Sequence, residues 1–305
     1  MTTILLLGAG KRVEMVKRLK ELGTVYSYEI DSNAPISFEV GTFLGKSWKP
    51  MNECAEHIQE IIETHDIDLV IPFQDEAVYV AQFLKNVTVI GASLNPARVC
   101  FDKTFFEKFM QDRFPWLYPY KDIINPANNI AKPRFGFGSK GIHFITDIEH
   151  YSLFDNAYDY VIQRRIDGTE YSVDCYFNKN GEFVDAVCRS RDKVVAGEVV
   201  QSTVCLGTLA NNLISYAKMV GQEIGLVGPC NFQFIVADDV TFEAKLIEIN
   251  ARFCGGYTLS MEAGLDTLEF IRREYIEGEV QRPVHKDKEM LRLVRSHKDH
   301  FIDFR

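Results

Sequence analysis

Glu248, Asn250 and Arg252 stand two residues apart in the run Glu248-Ile249-Asn250-Ala251-Arg252. On an extended chain that spacing puts the three polar side chains on one face and turns Ile247 and Ile249 to the other, into a core. Upstream, Asn231-Phe232-Gln233-Phe234 repeats the alternation. If the two segments pair as a hairpin about a turn between Val240 and Thr241, Gln233 falls opposite Glu248 and Asn231 opposite Asn250. Oxygen-bearing side chains then converge beside a guanidinium. Magnesium prefers oxygen ligands and completes its shell with water and phosphate oxygens, which makes Gln233, Glu248 and Asn250 candidate metal ligands. Arg252 could hold a transferring phosphate or the oxyanion formed beside it. The same alternation also describes an ordinary half-exposed strand, so the reading depends on other segments agreeing with it.

Gly136-Phe137-Gly138-Ser139-Lys140-Gly141 matches G-x-G-x-x-G, a pattern shared by dinucleotide folds and phosphate-covering loops. It precedes the strand-like Ile142–Ile145 instead of opening a helix, which fits a flap whose amides, Gly138 and Ser139 among them, cover phosphates. Lys132 lies just upstream in the apolar context Ile130-Ala131-Lys132-Pro133, where a bare ammonium is costly and wants an anion. Lys103, at the start of a helix, adds a second point charge. Lys140 reads equally well as a solvent-facing residue. Gly8-Ala9-Gly10 with Asp31 is a rival fingerprint for an NAD-dependent oxidoreductase, but Val13 stands where the third glycine belongs. That turn, with Lys11 and Arg12, could also take a carboxylate or phosphate, or the two basic residues could face water. No Ser/His/Asp or Cys/His constellation presents itself among the seven histidines, and His143 and His150 read as surface residues.

These residues need elements to hold them. Thr3–Leu7 is an apolar strand leading to a helix over residues 11–22, and further strands are expected at Val25–Ile30, Leu69–Phe73 and Val87–Gly91, with a helix at Cys54–His65. Alternating strands and helices imply a parallel sheet through about residue 97. Asp102–Arg113 reads as a helix, followed by a loop marked by Pro115, Pro119 and Pro126. From Ile130 to Val200 short strands and turns take over, notably Val161–Ile166, Tyr171–Phe177 and Phe183–Arg189, with a turn at Asn178–Gly181, so an antiparallel sheet is expected. A helix at Leu209–Gly225, the hairpin strands Asn231–Ala237 and Lys245–Asn250, and a helix at Thr267–Glu277 follow, with one more strand near Leu291–Val294. The division this implies is 1–100, 101–166, 167–282 and a tail, 283–305.

The chain has 305 residues, 46% hydrophobic and 25% charged, which suits a soluble globular protein of two or three lobes. No apolar run reaches the ~20 residues a membrane helix needs, and Lys11, Arg12 and Glu14 follow the first apolar run too closely for a secretory signal. Seven cysteines without a C-x-x-C pair suggest neither a zinc site nor a disulfide framework, and so a cytoplasmic protein with reduced thiols. A net charge of -9, with no basic stripe, argues against nucleic acid as a partner.

The ordered motifs resemble the ATP-grasp superfamily, particularly the ATP-binding half of the carbamoyl-phosphate synthetase large chain and related carboxylate–amine ligases. The resemblance runs from about Asp102 to Gly264. It is carried by Asp102-Lys103, Ala131-Lys132-Pro133 with the flap, Val161–Glu170, Asn231–Phe234 and Glu248–Arg252. It implies an α/β and α+β architecture, an ATP-grasp fold behind an N-terminal parallel-sheet, Rossmann-like domain. It implies ATP and Mg2+ as cofactors, with Mn2+ as a substitute, and a carboxylate and an amine as substrates. By the resemblance Lys103 and Lys132 contact phosphates, Gln163–Ile166 reads adenine, Glu170 holds ribose hydroxyls, Gln233, Glu248 and Asn250 bind the metal, and Arg252 supports acyl-phosphate chemistry. A non-catalytic nucleotide-binding module on the same scaffold is a further alternative. Many relatives have carboxylates where this chain has Gln233 and Gln163. Gln74-Asp75-Glu76 and Cys254–Ser260 lie where such ligases shape the acceptor pocket. Small ligases are commonly symmetric homo-oligomers.

Overall fold

The computed structural model describes residues 1–136, 138, 140–155, 157–195, 197–237, 243–284 and 286–296. Strand β1 (Thr3–Leu7) is buried almost throughout and feeds helix α1 (Val13–Leu19) through a turn in which Gly8 and Gly10 have positive φ. Then come β2 (Thr24–Glu29), β3 (Gly41–Leu44), α2 (Met51–Thr64), β4 (Leu69–Pro72), α3 (Asp75–Val80), β5 (Thr88–Val89) and α4 (Leu94–Phe101). The strands form a parallel sheet in the order β3-β2-β1-β4-β5. Side-chain alternation explains why β1 is apolar at every position: Ile4 and Leu6 enter one core, Leu5 and Leu7 the other, as in a sheet covered on both faces. The sequence pattern did not anticipate β3, α3 or α4.

Helix α5 (Lys103–Arg113) starts at Asp102, whose Oδ1 accepts from the Thr104 N–H at 3.0 Å. The same carboxylate takes Arg134 Nε at 2.8 Å and Nη2 at 2.7 Å. That ion pair ties the helix start to the end of β6 (Asn129–Pro133), the strand that carries Lys132. With β7 (His143–Phe144) and β8 (Tyr160–Arg164), which flank α6 (Ile148–Asp155), β6 forms a small antiparallel sheet in the order β7-β6-β8. Strand β7 is shorter than the expected Ile142–Ile145, and β8 ends at Arg164, leaving Ile166 in the following loop.

The largest sheet has the order β10-β9-β13-β14, built from β9 (Gly168–Phe177), β10 (Phe183–Ser190) and later strands. Strands β11 (Lys193–Val195) and β12 (Glu198–Thr203) precede helix α7 (Thr208–Ile224), which ends on the left-handed Gly225. Val173, Cys175 and Phe177 of β9 pack with Leu213, Ala217 and Val220 of α7 in one core. At Gly221 of α7 a Cβ would lie 2.2 Å from the Phe177 ring, so only glycine permits this approach.

Strands β13 (Gly228–Ala237) and β14 (Ala244–Asn250) pair with Gln233 opposite Glu248 and Asn231 opposite Asn250, the register expected from sequence. The turn at Val240 and Thr241 lies outside the described residues. A bulge then moves Phe234 opposite Leu246. The expected placement of Ile247 in the core is corrected by this bulge: Leu246 and Ile249 are core residues, whereas Ile247 is half-buried and lines the cleft described below. Helices α8 (Tyr257–Glu262) and α9 (Thr267–Ile271) follow, the latter giving way to a wider π-type turn, Arg272–Ile276. In that turn Glu274 is buried and accepts from the Tyr176 hydroxyl at 2.7 Å. Strand β15 (Arg292–Val294) pairs with β12, so the tail is packed as far as this strand.

Candidate active site

Alternation gives the large sheet two unlike faces. Opposite the apolar face on α7 lie Glu170, Ser172 and Asp174 of β9, Arg189 of β10, Asn231 and Gln233 of β13, and Glu248 and Asn250 of β14. Glu248, Asn250 and Ile247 line a cleft together with Lys103, Gly136 and Asp75. The residues singled out on β14, α5 and the flap are thus brought together although some 150 positions separate them in sequence.

Lys132 is buried, and its ammonium makes no hydrogen bond or ion pair with the described residues. Burial, helped by the like charge of Lys103, pulls its pKa down to about 8, against the opposing pull of Glu248 and Glu170. Lys103 Nζ donates to the Gly136 carbonyl of the flap at 3.0 Å. Gly138 reaches the large lobe: a Cβ on Gly197 would meet the Gly138 Cα at 2.3 Å. Ser139 lies outside the described residues.

Gln163 is buried, not a surface residue of an edge strand. Its Nε2 donates to the Tyr118 hydroxyl at 2.7 Å, and its Oε1 is buried without a partner. That orphaned acceptor is the atom an adenine amino group needs. Ile166 follows in the half-buried loop that leads into β9.

Glu170 pairs with Arg191 Nε at 3.0 Å. Burial raises the Glu170 carboxyl above its ordinary range; Arg191 opposes this and Glu248 adds to it. Gln233 bridges the same group: the amide orientation that suits both ends points its NH2 at Glu248 Oε2, 3.2 Å away, and its carbonyl at Arg191 Nη1, 3.1 Å away. The oxygen expected to serve a metal therefore faces a guanidinium.

Arg252 is buried and held from a distance of 177 residues by Asp75, which accepts from Nε at 2.9 Å and Nη2 at 2.7 Å. Nη2 also donates to Asn250 Oδ1 at 3.0 Å. Burial works against the charge, but Asp75 outweighs it and Arg252 stays above the ordinary arginine value. Beneath the sheet face a second buried pair joins Arg189 Nε to Asp174 Oδ2 at 2.8 Å. Asp174 also accepts from Asn231 at 2.7 Å, Ser260 at 2.6 Å and the Cys254 thiol at 3.2 Å. Asn231, opposite Asn250, is thus bound to this network through its NH2, while its Oδ1 is buried without a partner.

Sequence reasoning passed over Asp174, Arg189 and Arg191. The available signal was the period-two polar run Glu170, Ser172, Asp174 in an otherwise apolar strand, matched by Arg189 and Arg191 two apart. The dinucleotide alternative fares poorly. The Gly10 N–H already donates to the buried Glu29 carboxylate at 3.0 Å, and a Cβ at Gly8 would meet the Gln74 side chain at 2.8 Å. An anion and a side chain fill the turn a pyrophosphate would need.

A parallel βα sheet, a small antiparallel sheet with a bare lysine, and a larger antiparallel sheet with an acidic hairpin across a cleft define an ATP-grasp fold. Residues 156–297 match the family described as "ATP-grasp in the biosynthetic pathway with Ter operon". Among solved structures, the chain is similar to the biotin carboxylase domain of 2-oxoglutarate carboxylase from Hydrogenobacter thermophilus, in complex with MgADP, ADP and bicarbonate. The identity is 15%, over 93% of this chain and 71% of that one, with a TM-score of 0.72. It is also similar to N5-carboxyaminoimidazole synthetase from Staphylococcus aureus complexed with ADP, at 12% identity over 95% and 80% of the two chains, TM-score 0.70. A third is L-amino acid ligase from Bacillus licheniformis, at 15% identity over 93% and 78%, TM-score 0.66. At such identities the likeness is one of fold. No curated protein sequence matches the chain. Among the described residues no helix is long and apolar enough to cross a membrane, and all seven cysteines are free thiols.

Proposed function

We propose that this protein is an ATP- and magnesium-dependent ligase that activates a carboxylate as an acyl phosphate and joins it to an amine, releasing ADP and phosphate. The observation that carries this reading is Lys132, a buried ammonium without a counterion that faces Glu248 and Glu170 in an ATP-grasp fold. An anion entering there gains the charge pairing that the fold leaves unmade.

In this reading Lys132 and Lys103 hold the phosphates, and the flap around Gly138 and Ser139 covers them. The free Oε1 of Gln163 accepts from the adenine amino group, and the backbone up to Ile166 lines the base. Glu170, paired with Arg191 beside Glu248, is assigned to the charge cluster at the phosphate end in preference to ribose hydroxyls. The donor set suits magnesium in a limited way. Among the described residues no three His, Cys, Asp or Glu side chains converge, so Glu248 and Asn250 would hold the ion along with phosphate oxygens and water. When bound, it supplies charge neutralisation to the transferring phosphoryl group. Gln233, with its carbonyl on Arg191, is assigned to orienting Glu248. Arg252, fixed by Asp75 and Asn250, presents the remainder of its Nη1 edge to the oxyanion that develops during transfer. No side-chain nucleophile is required; positioning and electrostatics do the chemistry.

The test is ADP release with ATP, Mg2+ and a panel of carboxylates and amines. Glu248→Ala is expected to lower it by roughly 10^3-fold, the order of one lost transition-state charge contact, with circular dichroism unchanged. Near-normal magnesium-dependent ADP release by that variant would sink the assignment. Nucleotide binding without ADP release from any pair would favour the non-catalytic module instead.

A further inference from the structure

A group of charges outside the nucleotide face remains unaccounted for, where the Gly8–Arg12 turn meets the loop after β14. The Arg12 guanidinium makes no hydrogen bond or ion pair with the described residues, and its Nε is buried without a partner. A shut-off guanidinium N–H costs what any unmade buried hydrogen bond costs, and more because it is charged. Its neighbours do not relieve it. Both carboxylate oxygens of Asp75 are taken up by the Nε/Nη2 edge of Arg252. Glu198 sits 3.5 Å from Lys11 Nζ and 3.5 Å from Arg295 Nη1, too loosely to fix either. Glu29, whose charge also acts on Arg12, is taken up by the Gly10 N–H and the Ser27 hydroxyl, so Lys11, Arg12, Arg252 and Arg295 against Asp75, Glu198 and Glu29 leave a surplus of one positive charge. Burial and the like charge of Arg252 pull Arg12 below the ordinary arginine value, which an arriving anion would reverse.

The walls are built for close approach. A Cβ at Gly256 would lie 2.5 Å from Cζ of the buried, paired Arg189, so glycine lets this loop run close to it, and at Gly255 a Cβ would displace the Glu198 carboxylate, 2.4 Å away. Arg295, placed by the Arg295 N–H bond to the Val200 carbonyl at 2.9 Å, reaches the Gly255 carbonyl with its guanidinium. The Phe73 ring, 6.0 Å from Arg12 Cζ and stacked on Phe253, belongs to the core on which Arg12 rests. Asp75, which lines the cleft that holds Glu248, is paired with Arg252, whose charge acts on Arg12.

We propose that this space binds an anionic group, a carboxylate or a phosphate monoester, carried by the substrate at a point remote from the reacting carboxylate, with Arg12 as its principal partner and Arg295 and Lys11 beside it. The assignment rests on the ligase reading only in calling that ligand a substrate. It narrows the substrate class to molecules with a second anion. Glu198 then bounds the remainder of the molecule.

The experiment is calorimetric titration of the full chain, with and without Mg-ADP, using L-glutamate, O-phospho-L-serine and the neutral-ended L-glutamine. Wild type is expected to bind one of the two anionic probes at least about tenfold more tightly than glutamine, and the winner identifies carboxylate or phosphate. Arg12→Gln should erase that preference and Arg12→Lys should retain part of it, while both keep wild-type affinity for Mg-ADP. Equal binding of all three probes overturns the proposal, as does no binding of any, or a preference that survives Arg12→Gln. Failure of Mg-ADP to bind counts against the ligase reading alone, because the nucleotide-free titrations still test Arg12.

Discussion

The two sides of the cleft treat buried positive charge in opposite ways. On the large sheet, Arg189 and Arg252 each meet an aspartate through two hydrogen bonds from Nε and Nη2, with further donors and acceptors packed around the pair. On the small sheet, Lys132 is also buried and forms no ion pair among the described residues. Matched charges hold a structure in one geometry; an unmatched one makes the empty site costly and the filled site favourable. The difference separates residues that build the cleft from a residue that waits for what enters it.

That contrast can be broken most forcefully at Asp174. Asp174→Ala strands Arg189 in the interior and removes an acceptor from Asn231, Ser260 and Cys254, so a loss of about 3 to 5 kcal/mol is expected in urea denaturation. A loss under about 1 kcal/mol would mean that the pair does not hold the large sheet. Lys132→Met should act the other way, cutting ADP release by roughly 10^2 to 10^3-fold while raising stability at pH 7. The sign follows from the folded pKa of about 8 lying below the unfolded 10.5. The unfolded chain then binds the proton more readily between those values, so wild-type stability rises with pH across that window, by up to roughly 3 kcal/mol. Denaturation curves of wild type and Lys132→Met should converge as pH rises from 8 to 10.5; parallel curves would remove the case for a strained lysine. The smallest effect is expected at Asp75→Asn, which keeps one hydrogen bond to Arg252 and loses the other along with the ion pair. About 1 to 2 kcal/mol of stability and about tenfold in kcat should be lost, with KM for ATP little changed. A change confined to KM for ATP would place Arg252 on the nucleotide instead of the reacting centre.

Much of the large-sheet hairpin was legible in the residues themselves. Gln233 opposite Glu248 follows from period-two alternation on both strands, since a slip of one would have exposed Phe232 and Ile249. The bulge just beyond was not legible, because Leu246 and Ile247 are equally apolar and either could have entered the core. Lys132 was readable because its own neighbours are apolar. Arg252 was readable as a charge but not as a bound one, since its partner Asp75 arrives from another lobe. Gln163 was read as a polar residue on a strand; that Tyr118 covers it depends on a loop whose path no local pattern dictates. The family resemblance supplied the order of these motifs, but the bridging orientation of Gln233 comes from Arg191, a residue that no expected motif contained.

The position of β15 gives the cleft a history as well as a shape. Every group named on the nucleotide face lies between Lys103 and Arg252, so that face can assemble once the ribosome has released the middle of the chain. Arg295 cannot take its place until β15 emerges and pairs with β12. During synthesis the molecule therefore passes through a stage at which that face can exist while the neighbouring Arg12 region still lacks Arg295. On the proposed assignments, an immature chain at that stage would hold nucleotide before its second charged ligand.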